Sequence, residues 1–144
     1  MRFMVIVKAN KFSEAGVTPD KKVFEMMGKY NEELVKAGVM LAGEGLAPSS
    51  RGKRVKFDGN ERTVLDGPFP ETDHLVAGFW LWKAKSMDEA VEWLKRAPFG
   101  GGVEIELRQI MELEDFGSQV SPELIENERR LRAQAEQLAK SANK

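Results

Sequence analysis

The stretch Leu75–Lys83, Leu-Val-Ala-Gly-Phe-Trp-Leu-Trp-Lys, limits the folds open to this chain more than any other feature. Its aromatic and β-branched composition is that of a strand, and it is apolar on both faces. Leu75, Ala77, Phe79 and Leu81 point one way; Val76, Gly78, Trp80 and Trp82 point the other. A sheet covered on one side and wet on the other alternates apolar and polar residues. Here both faces need a cover. One cover is expected to be the chain's own helices. The other is expected to be a second copy of the protein, with Trp82 at the interface. Phe3–Val7 is a nearly continuous apolar run and predicts a second central strand.

Between and beyond these strands the helix signals are clear. Thr18-Pro19 offers a hydroxyl cap followed by proline at the first helical position, and Gly38 a left-handed stop. Val23, Met26, Met27, Tyr30, Leu34 and Ala37 recur between them at helical spacing, so a helix is predicted over 19–37. Residues 8–16 read as a polar loop, and Val39–Glu44 as a strand. Ser86-Met87-Asp88-Glu89 is a capping box for a second helix that Pro98 ends. Val103, Ile105 and Leu107 alternate with Glu104, Glu106 and Arg108, as in a final half-covered strand. Arg51–Asp58 and Glu61–Leu65 flank Asp58-Gly59-Asn60 and predict a charged, exposed hairpin. The order strand, helix, two strands, helix, strand, with that hairpin inserted, is a ferredoxin-like βαββαβ unit in the α+β class. Pairing two such sheets face to face makes a dimeric α+β barrel. A linker over Glu112–Gly117 leads to a third helix opened by Ser121-Pro122, with Leu124, Leu131 and Leu138 every seven residues. The domains are therefore placed at 1–117 and 118–144. The C-terminal helix is expected to dock on the partner subunit or on another protein.

Composition removes several function classes. With 22 basic and 23 acidic side chains the net charge is -1, and no global field favours nucleic acid or an anionic membrane. No apolar run reaches the ~18 residues of a membrane span, and the expected address is the cytoplasm. The chain has no cysteine and one histidine, so zinc-thiolate and haem sites are poor fits, and no metal or cofactor is expected.

At Asp66-Gly67-Pro68-Phe69 the chain resembles the YCII-related family, in the longer branch named for its DGPF motif. Ala42-Gly43-Glu44-Gly45-Leu46, Glu71-Thr72, Ala77-Gly78-Phe79-Trp80 and Ile105-Glu106-Leu107-Arg108 carry the same resemblance, in order, across about residues 1–117. The resemblance implies the dimeric α+β barrel. It implies little about activity, since most members are uncharacterised, though one relative removes chloride from a chlorinated aromatic metabolite. Shorter members carry a His–Asp pair proposed as catalytic. Those places fall near Met26 and Ala97 here, and neither side chain can move a proton. Other members occur beside or fused to sigma factors, which implies regulation.

Several residues are candidates for a site. Asp66 sits at the mouth of a turn as a base or polar ligand contact; the preferred reading is an Asx-type turn accepting nearby backbone N–H groups. Glu44 alternates onto the face of Met40 and Ala42. It reads equally as a part-buried acid–base group under the first helix or as a strand-end partner of Arg108. His74 reads as a solvated turn residue. Trp80 and Tyr30, with Met26 and Arg108, are candidate ligand-binding residues, Tyr30 because its hydroxyl needs a partner. Arg51, Lys53, Arg54 and the triple glycine at 100–102 read as surface features. Two functions follow from this. One is a homodimer that binds a small, aromatic molecule, with cofactor-free acid–base chemistry by Glu44 or Asp66. The other is a non-catalytic regulatory dimer, linked to sigma-factor systems.

Overall fold

The computed structural model describes residues 1–142. Two compact units divide the chain, Met1–Ile110 and a second from Met111 onward. In the first, strands β1 (Arg2–Lys8), β2 (Met40–Gly45), β5 (Val76–Lys83) and β6 (Ile105–Gln109) form one sheet in the order β2-β5-β1-β6. Every neighbouring pair is antiparallel. Helices α2 (Lys21–Lys36) and α3 (Met87–Lys95) complete the ferredoxin-like order. Among the described residues, strands β3 (Lys53–Asp58) and β4 (Glu61–Asp66) pair only with each other, and every residue of both is exposed, as the charged arms of this hairpin predict.

Helix ends follow local chemistry, with one shift. The cap of α2 is Asp20, not Thr18: its Oδ1 accepts the Val23 N–H at 3.1 Å. A carboxylate so placed meets an orphan donor and also faces the positive end of the helix dipole. At the other end Gly38 (φ 72°) allows the Val39 N–H to reach the Leu34 carbonyl and its own N–H to reach Val35. That is the left-handed stop expected of glycine there. In α3, Ser86 Oγ accepts the Glu89 N–H at 3.1 Å, while Glu89 Oε2 accepts the N–H of Lys85. The loop expected over 8–16 contains a one-turn helix, α1 (Lys11–Glu14), capped reciprocally by Asn10 and Ser13.

The sheet has two different faces. Phe3 and Val5 of β1 lie opposite Trp82 and Trp80 of β5, and all four are buried with Tyr30 and Leu34 of α2 and Ala90 of α3. This is the helix-covered core. The alternate residues Met4, Ile6, Phe79 and Leu81 occupy the opposite face and are only half-buried. Trp82 is therefore corrected from an interface residue to a core residue: it is 0% exposed and sits beneath the helices. The residues of the same strand that face away from the helices are Phe79 and Leu81.

In the second unit, Ser121 Oγ accepts the Leu124 N–H at 3.2 Å and opens α4 (Pro122–Ala142), as the Ser-Pro pair predicts. Leu124, Leu131 and Leu138 are all exposed. No helix among the described residues is long and apolar enough to cross a membrane.

Candidate functional site

A cavity of about 330 Å³ opens on the helix-covered face of the sheet, towards the end of β5 that carries Gly78. Its floor is the glycine trio Gly43, Gly45 and Gly78. Gly45 and Gly78 are direct partners across β2 and β5, and Gly43 lies opposite Trp80. A side chain at Gly45 would enter this space, whereas at Gly43 and Gly78 the room for a Cβ is already taken. At Gly43 a Cβ would meet Trp80 Cδ1 at 2.7 Å and Met40 Cε at 2.8 Å, so glycine here lets the indole lie against the strand. At Gly78 a Cβ would meet the Glu44 carbonyl oxygen at 2.9 Å. At Gly45 it would meet nothing within 4 Å. Phe24, Met27 and Asn31 of α2 form one wall, with Val7, Trp80 and Phe99 around them.

The wall residues are held by a chain of contacts. Tyr30 is buried in the core, and its hydroxyl donates to the Trp93 carbonyl at 2.7 Å, tying α2 to α3. Its ring meets Trp80 edge-on at 5.9 Å, Phe99 meets Trp80 edge-on at 6.1 Å, and Trp82 lies tilted beside it at 5.9 Å. The Trp80 indole Nε1–H donates to Asn31 Oδ1 at 3.0 Å. Burial holds the Tyr30 hydroxyl neutral and pushes its pKa up to about 12 from an ordinary value near 10. Between those values the unfolded chain loses this proton and the native chain keeps it. The native state then binds more protons, so stability falls as pH rises across that window. Tyr30 is the one tyrosine of the chain, so ultraviolet titration reads it alone. The expected midpoint is near 12, or coincident with alkaline unfolding. A midpoint near 10 in folded protein would mean that the hydroxyl is free of Trp93.

The residues singled out from the sequence are scattered by the fold. Trp80 lines the cavity. Tyr30 braces it from behind, its hydroxyl already satisfied by a backbone carbonyl. Met26 is 45% exposed and lies outside the cavity lining, which takes Phe24 and Met27 from the same helix. Arg108 is on the half-buried sheet face opposite Met4, at the far edge of the sheet from β2, and its nearest acid is Glu106 at 3.9 Å. It does not meet Glu44.

Glu44 borders the cavity but is exposed; of its two readings the part-buried one does not hold, and its expected place on the face of Met40 is corrected. The pairing of β2 with β5 slips between Met40 and Ala42. Met40 lies opposite Trp82, yet Glu44 lies opposite Phe79, so the irregularity at Leu41 transfers Glu44 to the face away from the helices.

Asp66 ends β4 and pairs with Lys53 across the hairpin, largely exposed. The turn contacts expected of it fall to other groups. Gly52 takes the Gly67 N–H at 3.0 Å, and Ser49 Oγ takes the Phe69 N–H at 3.0 Å. Ser49 is in turn gripped by Glu14 of α1: Oε2 accepts its N–H at 2.8 Å, and Oε1 accepts its hydroxyl. Those two bonds, the hydroxyl's first, hold the Glu14 carboxyl below its usual range. A Cβ at Gly67 would fall 1.7 Å from the Ser49 carbonyl oxygen, which no other residue type avoids without moving the backbone. The Gly67–Pro68 peptide is cis. The Arg54 guanidinium lies 4.0 Å over the Phe69 ring and 3.1 Å from Glu71, whose pKa it lowers chiefly by hydrogen bonding. The Asp-Gly-Pro-Phe motif is thus a docking clamp between α1, the 49–52 turn and the hairpin. His74 is exposed in a short turn over Thr72–His74, and no group of three or more His, Asp or Glu suited to a metal occurs among the described residues.

Asn31 and Phe24 were absent from the sequence-derived candidates. The signal lay beside the core stripe: Phe24, Met27 and Asn31 recur at i, i+3 and i+7 and form a second line on α2.

An uncharacterised protein of Rhizobium meliloti (strain 1021) is 29% identical over 76 residues, which is 53% of this chain and 61% of that one. The match thus spans less than two thirds of that relative's length. Among solved structures, 5-chloro-2-hydroxyhydroquinone dehydrochlorinase from Burkholderia phenoliruptrix AC1100, in complex with 2,5-dihydroxybenzoquinone, aligns at a TM-score of 0.44 and 16% identity. That alignment covers 78% of this chain and 95% of the other. The model of the YCII-related domain matches residues 1–114, and the chain belongs to that family.

Proposed function

We propose that the protein is a homodimer that binds a small, flat molecule in the glycine-floored cavity. The observation that carries this is the floor itself. Elsewhere on the helix-covered face the neighbouring strands present Phe3, Val5, Trp80 and Trp82; at Gly43, Gly45 and Gly78 they present no side chain, and above Gly45 the space is open. The space so left is at the small end of the ~300–1,000 Å³ range of ligand pockets. Aromatic walls and a flat floor suit a single planar ring. Met4, Ile6, Phe79 and Leu81, half-buried in one chain, give the opposite sheet face the apolar character of a surface shared by two copies. The exposed leucines of α4 suit docking on a second subunit or another protein.

Binding is favoured over catalysis by the character of the lining. Among the described residues Glu44 is the one ionisable group that borders the cavity, and its place in the strand pairing turns it to the opposite face. An acid–base enzyme would depend on that carboxylate; a binding protein would not. Gly45 offers a direct test. Its Cβ position is open and its φ is not positive, so a side chain there enters the cavity without backbone strain. Gly45→Leu is expected to fold normally and to weaken binding of small aromatic molecules at least about tenfold, by excluding them. Glu44→Gln is expected to leave that binding unchanged. Ligand-observed NMR across a panel of phenols, aryl ketones and aromatic acids checks both. If wild type binds none of them, or Gly45→Leu binds as well as wild type, the cavity is not the site.

A further inference from the structure

We propose that Asn31 selects the ligand, its carboxamide N–H2 donating a hydrogen bond to an acceptor oxygen carried on the bound ring. This inference rests on the cavity being the binding site and adds which chemistry it accepts. The amide cannot turn freely. Its Oδ1 takes the Trp80 indole N–H at 3.0 Å, and Trp80 is 6% exposed, so a flipped amide would set N–H against N–H in a desolvated place. Trp80 itself is fixed by Tyr30, Trp82 and Phe99, and Tyr30 by the Trp93 carbonyl. With one lone pair of the oxygen committed to Trp80, the two N–H groups are the larger share of the amide's bonding capacity left to a ligand. The remaining side chains that line the cavity are apolar apart from Glu44, which the strand pairing turns to the other face. Among the described residues Asn31 is therefore, Glu44 aside, the one polar side chain in an otherwise apolar lining, and it is chiefly a donor. A ring with a carbonyl, carboxylate or phenolate oxygen is matched; a ring whose only polar group is a donor is not. The orientation is set before the ligand arrives, so little ordering is lost on binding.

The test uses the full chain and three probes of similar size: acetophenone, which only accepts; aniline, which chiefly donates; and ethylbenzene, which does neither. Wild type is expected to bind acetophenone about tenfold more tightly than ethylbenzene, the factor a single hydrogen bond gives. Asn31→Asp keeps an acceptor for the Trp80 indole and removes the donor, so it should fold as wild type does, lose the preference for acetophenone and gain one for aniline. A second readout needs no variant. In wild type, the side-chain NH2 resonances of Asn31 should shift on adding acetophenone and stay in place with ethylbenzene. Equal affinity for acetophenone and ethylbenzene, an unchanged ranking in Asn31→Asp, or unmoved Asn31 resonances would overturn the assignment while leaving the cavity as the site. If neither acetophenone nor ethylbenzene binds at all, the binding reading fails, and this one with it.

Discussion

Trp82→Ala should cost about 3–5 kcal/mol of folding stability, the usual result of truncating a large buried aromatic. Set against the ~5–15 kcal/mol that holds most domains together, that leaves the first unit close to unfolding. Trp82 is 0% exposed, lies opposite Phe3 on one side and Met40 on the other, and stacks tilted on Trp80. Its removal opens a void beneath both helices. The indole carries a complication of its own: its buried Nε1–H has no hydrogen-bond partner among the described residues. An unpartnered buried donor carries a penalty of ~1–3 kcal/mol. Trp82→Phe removes that donor while keeping most of the ring, so its cost should be well below that of the alanine variant. Denaturant titration of both variants separates packing from polarity. A Trp82→Ala loss under ~1 kcal/mol would mean that the residue is not central to this core.

How far the sequence showed all this depends on the kind of signal. Most helix ends and the order of the main elements were legible because each rests on local chemistry, the cap of α2 at Asp20 rather than Thr18 being the exception. Ser86 and Ser121 cap helices, Gly38 stops one and Gly59 turns the hairpin, all within four residues of the groups they serve. The two-faced strand was legible too, but not which face the helices cover. Alternation separates Trp80 and Trp82 from Phe79 and Leu81, yet both sets are large and apolar, so periodicity cannot rank them.

The site was harder to read because its features are non-local or negative. The irregularity at Leu41 moves Glu44 from one face to the other, and a one-residue slip leaves no mark in residue type. Tyr30 finds its partner in a backbone carbonyl 63 positions away, and a backbone group has no sequence identity to search for. The Asp-Gly-Pro-Phe motif looked like a turn organised by its aspartate. The structure gives that work to Ser49 and Gly52, with Glu14 behind them. The cavity floor is an absence of side chains at Gly43, Gly45 and Gly78. Glycine within a strand signals a close approach or a bulge as readily as a floor. Only strand pairing, which puts Gly45 opposite Gly78, shows that the gaps are adjacent.

Leu81→Asp should convert the proposed dimer to a folded monomer, the second large effect expected. Leu81 lies on the sheet face away from the helices, opposite Met4 on β1 and Ala42 on β2, with Ile6 and Phe79 next along the strands. A carboxylate there meets water in a single chain, so the core of Phe3, Val5, Trp80 and Trp82 behind it is untouched. In a face-to-face pair the same carboxylate, and its copy across the two-fold axis, would be buried without a cation, at a cost of several kcal/mol per subunit. Charged residues on that face, Lys83 and Arg2 at one end, Glu44 on the edge strand β2 and Glu106 and Arg108 on β6, stand at its margin rather than its centre. The contrast with Trp82 is what gives the experiment its force. Substitution on the helix side of the strand should lower the melting temperature at any protein concentration. Substitution on the other side should change the sedimentation coefficient and abolish any concentration dependence of melting, since only association links stability to protein concentration. Sedimentation of wild type as a dimer and of Leu81→Asp as a monomer with native circular dichroism is the expected pair of results. A Leu81→Asp variant that stays dimeric would place the subunit contact elsewhere, and a wild-type monomer at micromolar concentration would refute the dimer and leave this apolar face to another partner.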